Sequence, residues 1–348
     1  MHLEENVALA PLTTLGVGGK ARFLLRAESS DDVVSAIRFA ENRELPIFVL
    51  GGGSNVLISD NGWHGLVLQI ATTGVEYEER DGKISFNVGA GEDWDKFVAR
   101  CVKRNCAGVE CLSGIPGSVG GTPVQNVGAY GQEVSETIVS VLAFDRAEIK
   151  VRELNATECG FRYRSSIFNT TERERYIILR VRYALTPGGF PSLRYADLQK
   201  YFADRSTTPT LSDVRRAVCS IRRSKGMLIV PGDPDSQSAG SFFKNPILTS
   251  PQFLDLSRRA KERGLEVPAY PTLSEQKKIS AAWLVEHSGF AKGYIKGRAG
   301  ISSKHALALI NRGEASAAEI LALKNEIQER VKTTWGIILE PEPVCVGF

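Results

Sequence analysis

The chain has 348 residues, of which 43% are hydrophobic and 24% are charged, proportions that exclude a disordered chain. Its formal net charge of +3 is too small to favour nucleic acid or a membrane surface as a partner. The first residues lack the basic and apolar regions of a signal peptide, and no apolar stretch reaches the ~18 residues of a spanning helix. The sequence therefore predicts a cytoplasmic protein.

The first third of the chain mixes strands with one helix. Apolar runs predict strands, and a Ser-Asp-Asp start followed by apolar residues at helical spacing predicts a helix. In chain order these are a strand at 21–27, a helix at 30–43, and strands at 46–50, 56–58 and 66–70.

The rest of the chain continues without the regular strand–helix alternation of a doubly wound sheet. The middle is predicted to hold strands at 75–79, 84–88, 138–144, 149–154 and 177–185, a helix at 93–104, and loops at 111–131 and 186–193. The last part is predicted to hold helices at 196–202, 212–223, 251–263, 279–287 and 317–334, a polar loop at 226–240, and strands at 306–310 and 337–346. This order predicts an α+β fold with antiparallel hairpins in the middle.

Six cysteines are scattered without Cys-x-x-Cys spacing: Cys101, Cys106, Cys111, Cys159, Cys219 and Cys345. This spacing disfavours a metal site and a disulfide framework. We interpret the cysteines as small buried apolar side chains.

Two glycine-rich segments suggest a phosphate-bearing ligand. The first glycine loop, residues 51–55, has the sequence GGGSN directly after an apolar strand. Successive glycines let backbone N–H groups approach a phosphate, although a tight turn between strands explains the same residues equally well. The second glycine loop, residues 111–131, carries six glycines, a density that favours a binding loop over a purely structural one. Together, two such loops fit a dinucleotide better than a mononucleotide.

A third glycine pattern is misleading. Residues 16–21 match the letters G-x-G-x-x-A, but they precede a strand, whereas the dinucleotide fingerprint must follow a strand and open a helix. The sequence also lacks G-x-x-x-x-G-K-[ST] and G-x-S-x-G, which disfavours P-loop and hydrolase classes.

Several polar side chains are candidates for chemistry, each with a structural alternative. Arg164 can hold a carboxylate through a bidentate fork, or it can be an ordinary surface arginine. Ser241, Lys244 and Asn245 surround two phenylalanines, and spacing alone favours a strand with one of these rings in the core.

Two charged groups complete the candidates. Glu340 and Glu342 alternate in the predicted last strand, which points both carboxylates to one face for acid–base or positioning work. The neighbouring prolines indicate an edge strand, so two solvated carboxylates are the alternative. A basic cluster could meet a diphosphate, but such clusters are more often solvated faces; its members are Arg215, Arg216, Arg222, Arg223 and Lys225.

Taken together, these segments resemble the UDP-N-acetylenolpyruvoylglucosamine reductase family, and specifically its branch with a substrate-covering tyrosine loop. The resemblance runs from residue 11 to residue 347. It is carried, in order, by GGGSNVLISD, SGIPGSVGGTPVQNVGAYGQEV, FRYRSSIF, GSFFKNP, AAWLVEHSGFAKG, KHALALINRG and LEPEPV.

The resemblance implies a fold that spacing alone does not reveal. It is an α+β fold with an FAD-binding part of the vanillyl-alcohol oxidase/PCMH type, made of two subdomains, and a smaller α/β substrate-binding domain. The implied division is subdomain 1 at 1–72, subdomain 2 at 73–225, the UDP-sugar domain at 226–315, and a return to subdomain 1 at 316–348.

The resemblance also implies an activity in peptidoglycan precursor synthesis. NADPH is the co-substrate that reduces non-covalently bound FAD, and reduced flavin passes hydride to the enol ether of UDP-N-acetylglucosamine enolpyruvate. The product is UDP-N-acetylmuramate. We also expect a monomer without a nucleic-acid or membrane partner.

Residue roles follow from the resemblance alone. Arg164 and Glu342 are implied to stabilise the enolate intermediate, and Ser241 is implied to be the proton donor. The implied substrate contacts are Tyr163, Tyr195, Lys225, Asn245 and His305, with Tyr195 covering the substrate. The implied FAD contacts are Gly51, Gly52, Gly53, Ser54, Asn55, Ser113, Gly114, Pro116, Gly117, Gly120, Gly121, Gln125, Asn126, Gly128, Ala129 and Tyr130.

The sequence departs from the family pattern at three places. The segment between Lys225 and Ser241 is several residues longer, Arg162 stands where a glycine is familiar, and His305 stands where some members carry glutamine.

Two other functions are compatible with a flavin fold. Sugar or hydroxy-acid oxidases often tether FAD through a histidine, but His64 is the only one near the first glycine loop. A non-catalytic flavin or nucleotide-sugar binding protein would not need Arg164, Ser241 and Glu342 together.

Overall fold

The computed structural model describes residues 2–272 and 275–348. The chain divides into two compact units, each built from separate segments. Unit 1 comprises residues 2–8, Lys20–Ser54 and Gly62–Ser224, and unit 2 comprises Leu9–Gly19, Asn55–Asn61 and the described part of Lys225–Phe348. The four-part division implied by the resemblance stays a prediction.

The first sheet of unit 1 has four strands. Their order across the sheet is Leu3–Ala8, Lys20–Ala27, Trp63–Ile70 and Ile47–Leu50. The first pair is antiparallel and the other two pairs are parallel. The strands at 21–27, 46–50 and 66–70 are thus confirmed within a few residues, whereas Leu3–Ala8 was not predicted, because its Glu-Glu-Asn centre hides the strand pattern.

The second sheet of unit 1 is antiparallel. It follows the order Lys150–Asn155, Ile138–Asp145, Tyr176–Pro187, Lys83–Gly89 and Val75–Arg80, with Cys106–Ala107 paired to the end of the long central strand. All five antiparallel strands predicted for the middle of the chain are confirmed. A two-stranded hairpin, Gly128–Ala129 with Gln132–Glu133, stands at the end of the second glycine loop.

Four helices complete unit 1: Ser30–Glu41, Trp94–Lys103, Ala196–Tyr201 and Leu211–Ser224. The helix Ser30–Glu41 begins at a capping box formed by Ser29 and Asp32, which satisfies two backbone N–H groups. Short 3-10 turns occur at Glu110–Leu112, Val119–Gly121, Val134–Glu136 and Ile167–Asn169. The core gathers Trp94, Phe86, Phe97 and Tyr183 under the antiparallel sheet.

Unit 2 contains three small sheets. The antiparallel four-stranded sheet runs Ser238–Ser241, Ala308–Asn311, Ala299–Ile301 and Ile295–Lys296. A three-stranded sheet runs Ile247–Leu248, Lys277–Ile279 and Ala269–Pro271, and a parallel pair joins Val344–Val346 to Val56–Ile58. The polar loop predicted at 226–240 therefore ends in a strand, after the 3-10 turn Pro234–Ser236.

The helices of unit 2 are Ser250–Lys261, Ala281–Glu286 and Ala317–Trp335, and a 3-10 turn lies at Ala10–Leu12. The long helix begins at a capping box of Ser316 and Glu319 and ends at Gly336, whose φ of 73° suits glycine. The Asp60 carboxylate also accepts hydrogen bonds from the first-turn N–H groups of Ala317 and Ala318, at 2.7 and 2.9 Å. This contact ties the segment Asn55–Asn61 to the helix.

Two further sequence predictions are wrong in part. The last strand was predicted at 337–346 but covers only Val344–Val346, because Pro341 and Pro343 cannot donate hydrogen bonds to a ladder. Four cysteines are buried as expected, but Cys219 is half-buried and Cys345 is exposed.

Candidate active site

The two glycine loops lie directly against each other within unit 1. A Cβ atom at Gly52 would lie 2.6 Å from the Gly117 Cα, and one at Gly51 would lie 2.7 Å from the Ser118 Oγ. A Cβ at Gly117 would in turn lie 2.6 Å from the Ser54 Oγ, and Gly117 has a φ of +122°. Only glycine fits this approach. The glycines leave a surface of main-chain atoms without side chains. A pyrophosphate can approach such a surface closely enough to accept hydrogen bonds from backbone N–H groups.

Two helices anchor the second glycine loop at Gly114. The Asp95 carboxylate accepts the Gly114 N–H at 2.5 Å, and the Arg222 Nε donates to the Gly114 carbonyl at 3.1 Å. Arg215 donates two hydrogen bonds, of 2.6 and 2.8 Å, to the same Asp95 carboxylate. Burial alone would raise the pKa of Asp95, but the hydrogen bonds from Arg215 and Gly114 hold it below its usual value.

These contacts correct the interpretation of the basic cluster as a solvated face. Arg215 and Arg222 are half-buried. Arg222 binds the loop and Arg215 binds Asp95, which also binds the loop, whereas Arg216 is exposed and pairs with Asp213. Neither Asp95 nor the role of Arg222 was predicted. The only available signal was their register on two amphipathic helices.

Arg164 occupies a strained hairpin turn. Arg162 and Ser165 exchange two backbone hydrogen bonds of 2.9 and 3.1 Å, so Tyr163 and Arg164 form the turn between them. Arg164 has a φ of 53°, a conformation that a bulky L-residue adopts at a cost of roughly 1–3 kcal/mol. Its Nη2 donates to the Gly128 carbonyl at 2.7 Å, which fixes the guanidinium against the second glycine loop.

A buried amide connects this turn to the loop. Asn126 is 1% exposed, and its Nδ2 donates to the Glu133 Oε2 at 2.7 Å and to the Arg162 carbonyl at 3.1 Å. Its Oδ1 accepts the Ser135 N–H at 3.1 Å. The side chain of Asn126 therefore braces the hairpin that carries Arg164. Asn126 also has a positive φ, of 44°, a conformation that asparagine adopts more readily than most residues.

Tyr130 and Tyr195 meet in unit 1. Their ring centroids are 5.5 Å apart in an edge-to-face arrangement, a favourable geometry for aromatic pairs. Tyr195 precedes the helix Ala196–Tyr201 and is 43% exposed, whereas Tyr130 is buried. Tyr163 is half-buried and lies beside the guanidinium of its neighbour Arg164, with the guanidinium carbon 5.3 Å from the ring centroid.

In unit 2, Ser241 and Glu342 are close through the backbone. The Glu342 N–H donates to the Phe242 carbonyl at 2.9 Å, and the Lys244 N–H donates to the Glu340 carbonyl at 2.9 Å. These bonds flank a single bridge between Phe243 and Pro341. The predicted strand through both glutamates is wrong, but this short pairing still places Glu342 opposite the residue after Ser241.

The two glutamates differ in their surroundings. Glu340 is 73% exposed and forms an ion pair of 3.4 Å with Lys244, as a solvated carboxylate would. Glu342 is half-buried, and its carbonyl accepts a bond of 3.2 Å from the Asn55 Nδ2. Phe242 and Phe243 are both buried, at 0% and 1% exposure, so both rings occupy the core.

The remaining predicted substrate residues also lie in unit 2. The Asn245 Oδ1 accepts the Ala281 N–H at the start of a helix, at 2.9 Å. The His305 Nδ1 accepts the Leu307 N–H at 3.0 Å. Burial, and then the positive charges of Lys225 and Lys292, lower the pKa of His305 to about 4, so this imidazole is neutral at pH 7 and carries its proton on Nε2.

The lengthened segment after Lys225 is held by charged contacts. Lys304 pairs with Asp233 at 2.6 Å. The Asp235 carboxylate accepts hydrogen bonds from the Ser303 N–H at 2.8 Å and the Ser303 Oγ at 2.7 Å. The segment is thus attached to the turn that precedes His305.

The predicted site residues divide between the units. Unit 1 holds Arg164, Tyr163, Tyr195 and every predicted FAD residue except Asn55, and unit 2 holds Ser241, Glu342, Lys225, Asn245, His305 and Asn55. Some predicted FAD residues use their polar groups within the protein. The Ser113 Oγ donates to the Glu110 carbonyl at 2.6 Å, and the N–H groups of Gly120 and Gly121 donate to Ala90 and Ser118 at 2.8 and 3.0 Å.

Comparison with known proteins identifies the class and then the family. The FAD binding domain family matches residues 21–154, so the chain is an FAD-binding flavoprotein. The family of the UDP-N-acetylenolpyruvoylglucosamine reductase C-terminal domain matches residues 233–346.

Relatives match over nearly the whole chain. A UDP-N-acetylenolpyruvoylglucosamine reductase of Thermobifida fusca is 48% identical over 99% of this chain and 98% of its own length. One of Streptomyces avermitilis is 45% identical over 100% and 96%. The crystal structure of the Thermus caldophilus reductase aligns over 99% of both chains with a TM-score of 0.68 and 27% identity.

The chain therefore belongs to the UDP-N-acetylenolpyruvoylglucosamine reductase family and is a flavin-dependent oxidoreductase. The α+β fold class with an FAD-binding part is confirmed by the domain match and the Thermus structure. FAD as cofactor is likewise confirmed, and NADPH as reductant fits the family. Among the described residues, no helix combines the length and apolarity needed to cross a membrane.

Proposed function

We propose that the protein uses NADPH to reduce UDP-N-acetylglucosamine enolpyruvate to UDP-N-acetylmuramate in peptidoglycan precursor synthesis. The observation that carries this proposal is Arg164, which sits in a strained turn and is fixed by the Gly128 carbonyl of the cofactor loop. Relatives that share nearly the full length bear the name of this reductase. We also keep a cytoplasmic location and a monomeric state as predictions.

The bare backbone of the two glycine loops would hold the pyrophosphate of FAD. The residues with the closest approach are Gly51, Gly52 and Gly117. When bound, the flavin supplies hydride from NADPH to the terminal carbon of the enol ether. The anchors at Asp95 and Arg222 keep Gly114 in place, so the loop needs little reorganisation when it binds a ligand.

Arg164 would stabilise negative charge on the substrate. Addition of hydride to an enol ether beside a carboxylate leaves an enolate whose charge spreads onto that carboxylate. A cation fixed before the reaction stabilises such charge at no cost of reorganisation. The bond to Gly128 and the brace from Asn126 supply that preorganisation.

Ser241 and Glu342 would act in the last step, the protonation of the enolate carbon. Ser241 would donate the proton that converts the enolate to product, since a hydroxyl in the right position can act over a short distance. Glu342 would position the reacting groups, and its half-buried place beside Phe242 and Asn55 supports that role better than the exposed position of Glu340. Tyr195, Tyr163, Lys225, Asn245 and His305 would bind the UDP-sugar.

NADPH oxidation by the purified yellow protein, with and without UDP-N-acetylglucosamine enolpyruvate, tests the proposal. We expect sustained oxidation only with that substrate, together with formation of UDP-N-acetylmuramate. Oxidation that ignores the substrate and consumes oxygen would instead indicate an oxidase or a reductase of another compound.

A further inference from the structure

Glu110 is a fully buried carboxylate with no role in the reaction described above. It begins the short turn Glu110–Leu112 and is 0% exposed. Its Oε2 accepts the Gly108 N–H at 2.8 Å, and its Oε1 accepts the Gln132 Nε2 at 2.8 Å and the Ser192 N–H at 2.9 Å. A buried carboxylate needs such donors to offset its desolvation. All three are neutral N–H groups.

The three donors belong to different parts of unit 1. Gln132 follows the second glycine loop, whereas Ser192 lies in residues 186–195, which we call the cover segment because it ends at Tyr195. The Cys111 Sγ also donates to the Ser192 carbonyl at 3.3 Å. Consecutive residues, Glu110 and Cys111, therefore bind both main-chain polar groups of Ser192.

The cover segment stays in contact with the cofactor loop up to Tyr195. A Cβ atom at Gly131 would lie 3.2 Å from the Arg194 Cβ and 3.6 Å from the Tyr195 N. The ring of Tyr195 then packs against Tyr130. By contrast, the buried Ser192 Oγ makes no hydrogen bond within residues 2–272 and 275–348, so the main chain of Ser192 makes the attachment.

We propose that Glu110 is a positioning residue for substrate binding. It fixes the cover segment to the second glycine loop and so determines the position of Tyr195 at the end of that segment. This inference deepens the proposed function and rests on it for its kinetic effect. Its structural part, the attachment of Ser192, can be measured independently of activity.

The donor pattern explains why a glutamate is needed at this position. An ionised carboxylate offers acceptors only, whereas a glutamine amide replaces one oxygen with an NH2 donor. In Glu110→Gln the NH2 group must face Gly108, or Gln132 and Ser192, and all of these present N–H groups. Shape is preserved, but at least one buried N–H loses its acceptor.

The experiment compares Glu110→Gln with wild-type holoenzyme. One readout is the KM for UDP-N-acetylglucosamine enolpyruvate beside the rate of flavin reduction by NADPH. The other is trypsin cleavage after Arg194, identified by mass spectrometry, because that side chain is 70% exposed. We expect a KM and a cleavage rate each raised roughly 10-fold, the scale of one lost buried hydrogen bond, with the rate of flavin reduction unchanged.

Two matched variants separate the attachment from general stability. Ser192→Ala removes only the hydroxyl without a partner and should behave as wild type. In the double variant Glu110→Gln/Gln132→Glu, the new NH2 can donate to the new carboxylate and the Gly108 N–H keeps an acceptor, but the Ser192 N–H does not regain one. We expect its thermal stability to recover while cleavage after Arg194 stays raised. If Glu110→Gln alone does not fold, this double variant carries the same test.

A wild-type cleavage rate after Arg194 in folded Glu110→Gln would overturn the inference. Raised cleavage with an unchanged KM would also overturn it, because the attachment would then not serve substrate binding. Failure of the wild-type protein to turn over the UDP-sugar would refute the proposed function instead, a result distinguishable from both.

Discussion

The Nη2 of Arg164 donates a 2.7 Å hydrogen bond to the carbonyl of Gly128, while the backbone of Arg164 holds a φ of 53°. The backbone of Arg164 is thus restrained by the turn, and its guanidinium is restrained by the second glycine loop. Strain of this kind persists only where the surroundings impose it. Gly128 is also crowded, since a Cβ there would lie 2.8 Å from the Glu133 Cγ and 3.0 Å from the Arg164 Nη1.

Arg164→Met should slow reduction of the substrate by the reduced flavin and leave reduction of the flavin by NADPH unchanged. Loss of one preorganised donor to a developing anion costs about 10²–10³-fold in rate, so we expect that loss in substrate reduction and a normal rate of flavin reduction. Stopped-flow absorbance of the flavin separates the two steps. Arg162→Met, an exposed neighbour in the same hairpin, is the control and should retain both rates. Equal losses in both steps would refute the assigned role.

Ser241→Ala should leave flavin reduction intact and slow reduction of the UDP-sugar by about 10²-fold or more, the scale of a lost general acid. The stopped-flow rates of each half-reaction measure this directly. The variant should fold normally, because Ser241 is half-buried at the end of its strand and the neighbouring core rings are unchanged. A comparable loss in flavin reduction would show that Ser241 is not the proton donor.

Tyr195→Ala should raise the KM for the UDP-sugar while a measurable turnover remains, because a covering side chain contributes to binding more than to the chemical step. Steady-state kinetics at saturating NADPH give both constants. Tyr201→Ala removes an exposed ring from the helix that Tyr195 precedes and should have no effect. Complete loss of turnover with normal flavin reduction would move Tyr195 into the catalytic set.

Gly52→Ala should disrupt the close contact between the two glycine loops that we propose binds FAD. The added Cβ would meet backbone atoms of Gly117 and Ser118 within 2.8 Å, and backbone can move aside only at a cost of about 1–3 kcal/mol. We expect FAD affinity to fall at least roughly 10-fold, measured by flavin fluorescence. At Gly121 the nearest atom would be 3.9 Å away, so Gly121→Ala should keep the stability of the apoprotein. Normal FAD binding in Gly52→Ala would contradict this proposal.

His305 should make stability depend on pH. Burial, followed by the charges of Lys225 and Lys292, lowers the pKa of His305 to about 4, below the ~6.5 of an unfolded histidine. Between these values the unfolded state binds the proton and the folded state does not, so stability falls as pH falls from about 6.5 towards 4.

Comparison with His305→Gln isolates that contribution. Other titrating groups are common to both proteins and cancel in the difference. We expect the free energy of unfolding, measured in urea, to fall more steeply for wild type than for His305→Gln across that window. Parallel pH profiles would show that the pKa of His305 is not depressed.

Individual strands and the glycine-rich loops could be predicted, because they depend on residues that are adjacent in sequence. An apolar run located the strand Val56–Ile58 at its observed bounds, and glycine density located both loops. Pairing at long range was not predictable, because the partners of Glu110, Asp95 and Arg222 depend on how distant helices and loops pack. The last strand failed for a local reason, since the prolines beside Glu342 interrupt a ladder that periodicity alone extends.

The parallel pairing of Val344–Val346 with Val56–Ile58 has a consequence for biosynthesis. Asn55 and Glu342, which bond beside this pair, are 287 positions apart in sequence. A ribosome adding about 5–20 residues per second releases Val344–Val346 well after Val56–Ile58. The strand Val56–Ile58 therefore lacks this partner, and stays accessible to chaperones, until residues 344–346 have been synthesised.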